Sequence, residues 1–321
     1  MTAVTADPSV VAVVLSYDGR ALLETILPSL AAQTYPNLRT LVIDNGSSDD
    51  SLVYLAREWP DVEVLALPKN IGVAAALNRG MAAARGDLIA LLNNDIELEP
   101  GCLAELVETM RAHPDAAVAC PKLVNYYRRD HLDGTGDVYR WGGEAGRRAH
   151  GERDTGQYDR AQDVFSACGG AALYRTAALA DVGAYDESFF AYYEDVDWSF
   201  RAQLAGWRCR YAPSAVAYHI GGATLGGELS DFLLYHNWRN QIWVMAKNWP
   251  LAALIVHSPQ VLFVQGRNLL IALRSGRVGL WLGVWRAALA GLPGVLRKRR
   301  GVQRSRRISV RELHRRVALG R

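Results

Sequence analysis

Through the first 120 residues, short unbroken apolar runs alternate with stretches that repeat at helical spacing. Val10–Leu15 is a continuous, mostly β-branched run, and Leu22–Gln33 then reads as a helix. Leu38–Asp44, Val62–Ala66, Leu88–Asn93 and Ala117–Cys120 read as further strands. Asp50–Glu58, the alanine-rich Val73–Ala84 and Pro100–His113 read as the helices between them. Strands apolar on both faces, each followed by a helix, predict an α/β fold with a mostly parallel central sheet and flanking helices. Ligands of such sheets bind beyond the carboxyl ends of the strands. Three polar clusters fall there: Ser16-Tyr17-Asp18, Asp44-Asn45-Gly46-Ser47-Ser48-Asp49, and Asn93-Asn94-Asp95.

Beyond Pro121 the pattern breaks. Asn125–Asp163 is crowded with Gly, Arg, Asp and Tyr and has no clear period. A loop of that length is usually functional, though it reads equally as a solvated insertion. Regularity returns over Phe165–Tyr174. A helix is predicted from Glu194 to Ala205, ended by Gly206, then short strands at Arg208–Tyr211 and Ala215–Tyr218. From Ser230 onward the chain reads helical. The longest uncharged run, Asn248–Gly266, holds two prolines and two glutamines, so an interfacial helix suits it better than a membrane span of ~20 apolar residues.

Charge divides the 321 residues unevenly. Residues 1–250 carry 21 Lys and Arg against 32 Asp and Glu, a balance of −11; residues 251–321 carry 15 against one, a balance of +14. An acidic body with a basic, apolar tail predicts an anionic surface as partner for the tail. Tryptophans 243, 249, 281 and 285 among leucines and spaced arginines point to a membrane surface rather than to nucleic acid. Four scattered cysteines without a CxxC indicate neither a disulfide scaffold nor a zinc ribbon. Met1–Ser9 lacks the pattern of a signal peptide. The expected location is therefore the cytoplasm, peripheral at the cytoplasmic face of the cell membrane. The pattern also permits a homo-oligomer.

The chemistry is carried by a few clusters. The Walker pattern, GxGxxG after the first strand, HExxH and GxSxG are all absent. Asp95 closes an apolar strand, where a carboxylate can hold Mg²⁺ or Mn²⁺ through oxygen; it reads equally as a turn or cap residue. Asp44 has the same two readings. Gly72 and the alanines after it open a helix whose N-terminus favours an anion, though packing against the sheet also asks for small residues. Glu194, Asp195 and Asp197 open a helix behind the run Phe189–Tyr193. Acids are common in a first helical turn, but aromatic walls can raise a carboxylate's pKa toward that of a general base. His219 ends a strand before two glycines, as a structural residue or a metal ligand.

Ordered along the chain, these residues resemble the family 2 glycosyltransferases of the GT-A fold over roughly residues 9–250. Val10–Tyr17 and Gln33–Asn37 leading to Val42–Ser47 are similar to that family's first nucleotide-binding unit. Asn70–Gly80 is similar to its NxGxAxAxNxG segment, and Asn93-Asn94-Asp95 stands at its DxD-type motif. Gly183–Asp197 with Arg201 resembles its acceptor and catalytic-base motif; His219, Gly222 and Thr224 resemble a late metal-binding element. Gly169–Arg175 followed by Glu-Asp-Val-Asp looks most like bacterial rhamnosyltransferase-type members.

The resemblance implies a catalytic domain over 1–229, with a nucleotide-binding half at about 9–120 and an acceptor half at about 121–229. A helical, basic region over 230–321 would follow. It implies inverting transfer from a nucleotide-diphosphate sugar, dTDP-rhamnose or a UDP-sugar, to a saccharide or lipid-linked saccharide in cell-surface polysaccharide assembly. Ser16, Tyr17, Asp44, Asn70, Gly72, Asn78, Asn93 and Asn94 would bind the nucleotide-sugar. Asp95 and His219 would hold Mg²⁺ or Mn²⁺, Asp195 would be the base, and Glu194, Asp197 and Trp198 would serve the acceptor. A sugar-nucleotide pyrophosphorylase would need a lysine-containing glycine-rich start that Val10–Arg20 lacks. A non-catalytic saccharide-binding or scaffold protein on this fold is the other alternative.

Overall fold

A computed structural model describes residues 7–221 and 230–319. The first third matches the pattern closely. Strands β1 (Val10–Ser16), β2 (Leu38–Asp44), β3 (Glu63–Ala66) and β4 (Leu88–Asn93) are parallel, in the spatial order β4-β1-β2-β3. Helices α1 (Arg20–Ala31), α2 (Ser51–Glu58), α3 (Val73–Ala83) and α4 (Cys102–Ala112) lie between or after them. Alternate residues of β1 feed two cores on opposite faces of the sheet. Val10, Ala12 and Val14 pack with α1 and α4; Val11, Val13 and Leu15 pack with α3. That two-sided burial is why the strands read as unbroken apolar runs.

The second half departs from the simple alternation. After the short β5 (Ile96–Leu98), the expected strand at 117–120 is a ten-residue β6 (Ala116–Asn125). The aperiodic stretch is folded, not solvated: it contains β7 (Leu132–Gly134), β8 (Asp137–Tyr139), β9 (Ala145–Arg147) and β10 (Gln162–Val164). Three-residue strands are too short to show a period, which is why this stretch reads as a loop. β11 (Ala171–Arg175) runs antiparallel between β4 and β6, and α5 (Thr176–Val182) follows it. A single 3₁₀ turn at Glu187–Phe189 precedes α6 (Glu194–Leu204). The two strands expected after it are one, β12 (Arg208–His219), parallel to β6 with a register shift between Ala212 and Val216.

The C-terminal region comprises α7 (Asp231–Asn248), α8 (Leu251–Val256), α9 (Ser258–Arg274), α10 (Val278–Arg304) and α11 (Val310–Val317). It shares a core with the region before it. Tyr139 and Trp141 of the insertion and Val196, Phe200 and Leu204 of α6 pack with Trp243, Trp249, Ala253, Val295 and Leu313. Trp249 Nε1 donates to Tyr139 Oη at 3.0 Å, and the Trp141 ring stacks on His257 at 4.3 Å. Trp243 and Trp249 are therefore internal, and only Trp281 and Trp285 of the four tryptophans remain partly exposed.

Much of the opposed charge is satisfied inside the molecule. Arg267 pairs with Glu144, Lys298 with Asp186, and Arg307 with Asp181, each a tail cation on a body carboxylate. Arg297, Arg300, Arg304 and Arg311 are exposed and make no ion pair among the described residues. α8–α10 also present Leu251, Ile255, Leu262, Phe263, Leu273 and Leu282 to solvent. α10, 27 residues long, is also long and apolar enough to cross a membrane, whereas the uncharged run Asn248–Gly266 is divided by Pro250 and His257 between α7, α8 and α9.

Candidate active site

The carboxyl edge of β1, β2 and β4 gathers the first polar clusters. Ser16 lies opposite Asp44 in the β1–β2 register. Asn94 Nδ2 donates to Ser16 Oγ at 3.1 Å, which ties the β4 cluster to the β1 cluster, and both residues are buried. Asp44 is buried; one oxygen accepts from Ser47 N at 3.1 Å and the other has no partner. Tyr17 follows, half-buried. An orphaned buried carboxylate oxygen is costly, and here it faces the strand edge where ligands of such sheets bind.

Asn70 shapes the entry to α3. Its Oδ1 accepts from Gly72 N at 2.9 Å and from Asn45 Nδ2 at 3.2 Å. Gly72 is required by geometry: its φ is +87°, and a Cβ there would lie 2.5 Å from the Phe190 ring. Asn78, one turn into α3, does not face this edge. Its amide donates to Tyr185 O and Glu187 Oε1, and its Oδ1 accepts from Tyr185 N. It anchors the segment before α6 instead of contacting a nucleotide, because its amide is fully engaged.

The second pole lies where β4 and β12 end. Asp95 and His219 come together, with His219 Nε2 3.3 Å from Asp95 Oδ2. Asp95 Oδ1 is buried without a partner. Asn93, half-buried, is held by its backbone N–H on Gly170 O at 2.9 Å. On the far side of the imidazole, His219 Nδ1 donates to Asp133 Oδ2 at 2.7 Å. Burial opposes a charge on His219, but the hydrogen bonds to Asp133 and Asp95 outweigh it and raise the imidazole to about 9 in the metal-free chain. The orphaned Asp95 oxygen and the facing imidazole suit a divalent cation such as Mg²⁺ or Mn²⁺. Among the described residues no three such side chains converge on one point, so water and a ligand would complete the shell. Gly222 and Thr224 lie outside the described residues.

Asp195 stands at the start of α6. Its Oδ1 accepts from Val196 N at 2.7 Å, and a Cβ at Gly169 would sit 2.6 Å from its other oxygen, so glycine is what admits the carboxylate to this turn. Burial pushes Asp195 above the ordinary carboxylate range. Glu194 is raised too, by burial and by its acidic neighbour, and one of its oxygens is buried without a partner. Asp137, from the insertion, is raised to about 8 by burial and by Asp195, against the pull of Arg147. A carboxylate held above its usual range is suited to general-base work near neutral pH.

The backbone that leads into this helix is strained. Phe190, Tyr192 and Tyr193 all take positive φ, of 66°, 64° and 68°. Each such residue costs about 1 kcal/mol or more, so the turn needs outside support. α7 supplies it: buried Asn240 Nδ2 lies within 2.7–3.1 Å of the carbonyls of Phe189, Ala191 and Tyr192, and Arg239 donates to Phe189 O at 2.8 Å.

Two expected acceptor residues are structural. Trp198 is 0% exposed; its indole donates to Gly183 O at 2.8 Å and meets Tyr174 edge-on, so no face is left for a sugar. Asp197 is equally buried and accepts from Lys247, Arg201 and Asn248 at 2.9 Å each. Both are wholly buried, whereas Asp195, in the first turn of the same helix, is only partly so. Asp133, Asp137, Arg147, Asn240 and Lys247 were missed from sequence. The only local signal was the glycine-bracketed acid pair Asp133-Gly134-Thr135-Gly136-Asp137. Trp141, in the stretch Asn125–Asp163, packs with Tyr139 in the core.

Known proteins share the family and the fold. One relative, the N-acetylglucosaminyl-diphospho-decaprenol L-rhamnosyltransferase of Mycobacterium tuberculosis, is 27% identical over 256 residues, covering 70% of this chain and 80% of its own. The crystal structure of GalNAc-T7 with UDP, GalNAc and Mn²⁺ superposes with a TM-score of 0.62 at 16% identity, over 77% of this chain and 49% of that one. The mannosyltransferase PcManGT from Pyrobaculum calidifontis, in complex with GDP-Man and Mn²⁺, gives a TM-score of 0.56 at 16% identity, over 94% and 86%. These two likenesses establish the GT-A-type fold. Residues 11–183 match the family model described as Glycosyl transferase family 2. The chain therefore belongs to glycosyl transferase family 2 and is a glycosyltransferase.

Proposed function

We propose that the chain transfers a sugar, with inversion, from a nucleotide-diphosphate donor such as dTDP-rhamnose or a UDP-sugar to a saccharide or lipid-linked saccharide acceptor. The observation that carries this reading is the pairing of two poles on one strand edge. Asp95 faces His219 with an orphaned oxygen at one, and Asp195, its pKa raised by burial, lies against Gly169 at the other. Asn93 N to Gly170 O joins them.

Ser16, Tyr17, Asp44, Asn70 and Gly72, with Asn93 and Asn94, would seat the donor. Asp95 and His219 would hold Mg²⁺ or Mn²⁺, which when bound offsets the charge that develops on the diphosphate. Asp195 would take the proton from the acceptor hydroxyl as that oxygen attacks the anomeric carbon. Glu194 lies beside it and bounds the acceptor side. The rhamnosyltransferase likeness favours a deoxyhexose donor and a lipid-linked acceptor. The exposed apolar side chains of α8–α10, with the exposed Arg297, Arg300 and Arg304 of the same region, suit the surface of an anionic membrane at its cytoplasmic face, where such an acceptor would be presented.

A panel of nucleotide sugars with Mg²⁺ or Mn²⁺, read as nucleoside-diphosphate release, tests the reaction. Asp195→Asn should lower turnover by about 10²–10⁴-fold and leave nucleoside-diphosphate affinity within about twofold. Near-normal turnover of that variant would remove Asp195 from the role. The acid limb of kcat/KM should lie above the ordinary carboxylate range of ~4.

A further inference from the structure

We infer that Asp133, delivered by the folded insertion, is a positioning residue that fixes His219 with Nε2 toward Asp95 and thereby sets the affinity of this pole for a divalent cation. The inference rests on the proposed reading that Asp95 and His219 hold Mg²⁺ or Mn²⁺.

Three observations support it. First, β7 and β12 flank the same end of β6: Leu132 pairs with Val124, and His219 pairs with Asn125. Two backbone ladders thus set Asp133 beside His219, and a mobile side chain is not needed to bring them together. Second, the contact is directional. Asp133 Oδ2 accepts from Nδ1 at 2.7 Å, which commits that nitrogen as a donor and leaves Nε2 facing Asp95 Oδ2 at 3.3 Å. The ring could otherwise turn, because Nδ1 and Nε2 compete for the same carboxylates. Third, Asp133 is itself held. It is buried, pairs with Arg147 through the same oxygen, and has His150 Nδ1 3.3 Å from its other oxygen and 2.9 Å from its carbonyl. Arg147 Nη1 lies 3.3 Å from His219 Nδ1, so Asp133 also separates two groups that would repel if both were charged.

A hydrogen bond from the far nitrogen of a ligating histidine to a carboxylate orients the ring and raises its basicity as a ligand. Loss of such a partner typically costs about 10- to 100-fold in metal affinity. Gly170 borders this pole: a Cβ there would lie 3.7 Å from Ile96 Cδ1, 3.9 Å from His219 Nε2 and 4.0 Å from Asn93 Nδ2.

The test titrates Mn²⁺ into the full chain with UDP or dTDP present, in separate arms, and reads free ion by electron paramagnetic resonance. Asp133→Asn should raise the Mn²⁺ Kd about 10- to 100-fold. In a His219→Ala background the same substitution should add less than about twofold, since its route to the metal is already gone. Equal losses in both backgrounds would show a general structural or electrostatic role and overturn the inference. So would an unchanged Kd in Asp133→Asn. Asp133→Glu keeps the charge that Arg147 pairs with and serves where the asparagine variant melts early. Its Kd should fall between wild type and Asp133→Asn, and a wild-type Kd would overturn the inference because the carboxylate's position would then not matter. If wild type binds no Mn²⁺, or if Asp95→Asn binds it as well as wild type, the metal reading itself falls and takes this inference with it.

Discussion

The N-terminal strand–helix region and the region built from the insertion and the C-terminal helices reach order by different routes. In the first, β1, β2 and β3 are each followed by a helix and pair in chain order, and β4 alone crosses back to lie beside β1. In the second, β8 and β9 form a separate two-stranded hairpin whose Tyr139 reaches its partner Trp249 across 110 residues. The first half positions Ser16, Asp44 and Asp95 by strand ends alone. Asp195 depends on a strained turn that α7 must clamp from outside. Donor binding would thus be locally encoded, and the base would depend on the C-terminal helices being docked.

This contrast can be broken most forcefully at Trp249. Trp249→Ala should cost about 3–5 kcal/mol, read by denaturant unfolding, and should lower turnover far more than nucleoside-diphosphate binding. A loss confined to membrane association would mean that the helices are an appendage after all. For the same reason, cutting the chain after Pro250 would uncover Trp141 and Tyr139 and would be a poor test of anchoring.

Lys247→Met should cost somewhat less, about 3 kcal/mol, at the lower end of the range for breaking a buried pair. Arg201 and Lys298 still pair with the two carboxylates it leaves. Those carboxylates also fix the sign of an acid transition. Burial opposes ionisation of Asp186 and Asp197, but Lys247 and its cationic neighbours hold both below the usual range. The stability they supply is complete above the unfolded value of ~4 and is lost as pH falls toward their folded values. Asp137, raised to about 8, has the opposite sign, so acidification from pH 8 toward 4 relieves its burial. Thermal melts should therefore be most stable in mildly acidic buffer and fall steeply below about pH 4; a flat profile there would dissociate α7 docking from these ion pairs.

The smallest effect on stability is expected on the outer face. Leu262→Glu with Phe263→Glu, both in α9 with Phe263 73% exposed, should change stability by no more than about 0.5 kcal/mol each. The pair should abolish co-sedimentation with anionic liposomes while sparing turnover on a soluble acceptor. Retained co-sedimentation would move the anchor elsewhere.

Local pattern was a good guide wherever a residue's role follows from its own element. The strand ends carrying Ser16, Asp44 and Asp95 could be read because both faces of each strand are buried. Gly72 could be read because a helix start beside a ligand edge asks for a small residue. Asp197 and Trp198 could not be separated from Asp195 by type. Only the docking of α6 decides which of these neighbours points inward. Asp133 and Asn240 were invisible for a further reason: each acts on a partner 86 or 48 to 51 residues away, and no short-range pattern carries such a pairing.

By itself, then, the sequence determined the α/β class, the ligand edge, the acidic and basic halves and the residue types available for transfer chemistry. All of these follow from periodicity and composition within single elements. Only the tertiary structure decided that the insertion is a folded arm carrying Asp133 to His219. The same is true of the tail, several of whose cations pair with the body. These outcomes depend on burial and charge complementarity between segments far apart in the chain, where a hydrogen bond or ion pair gains its strength only once packing has excluded water.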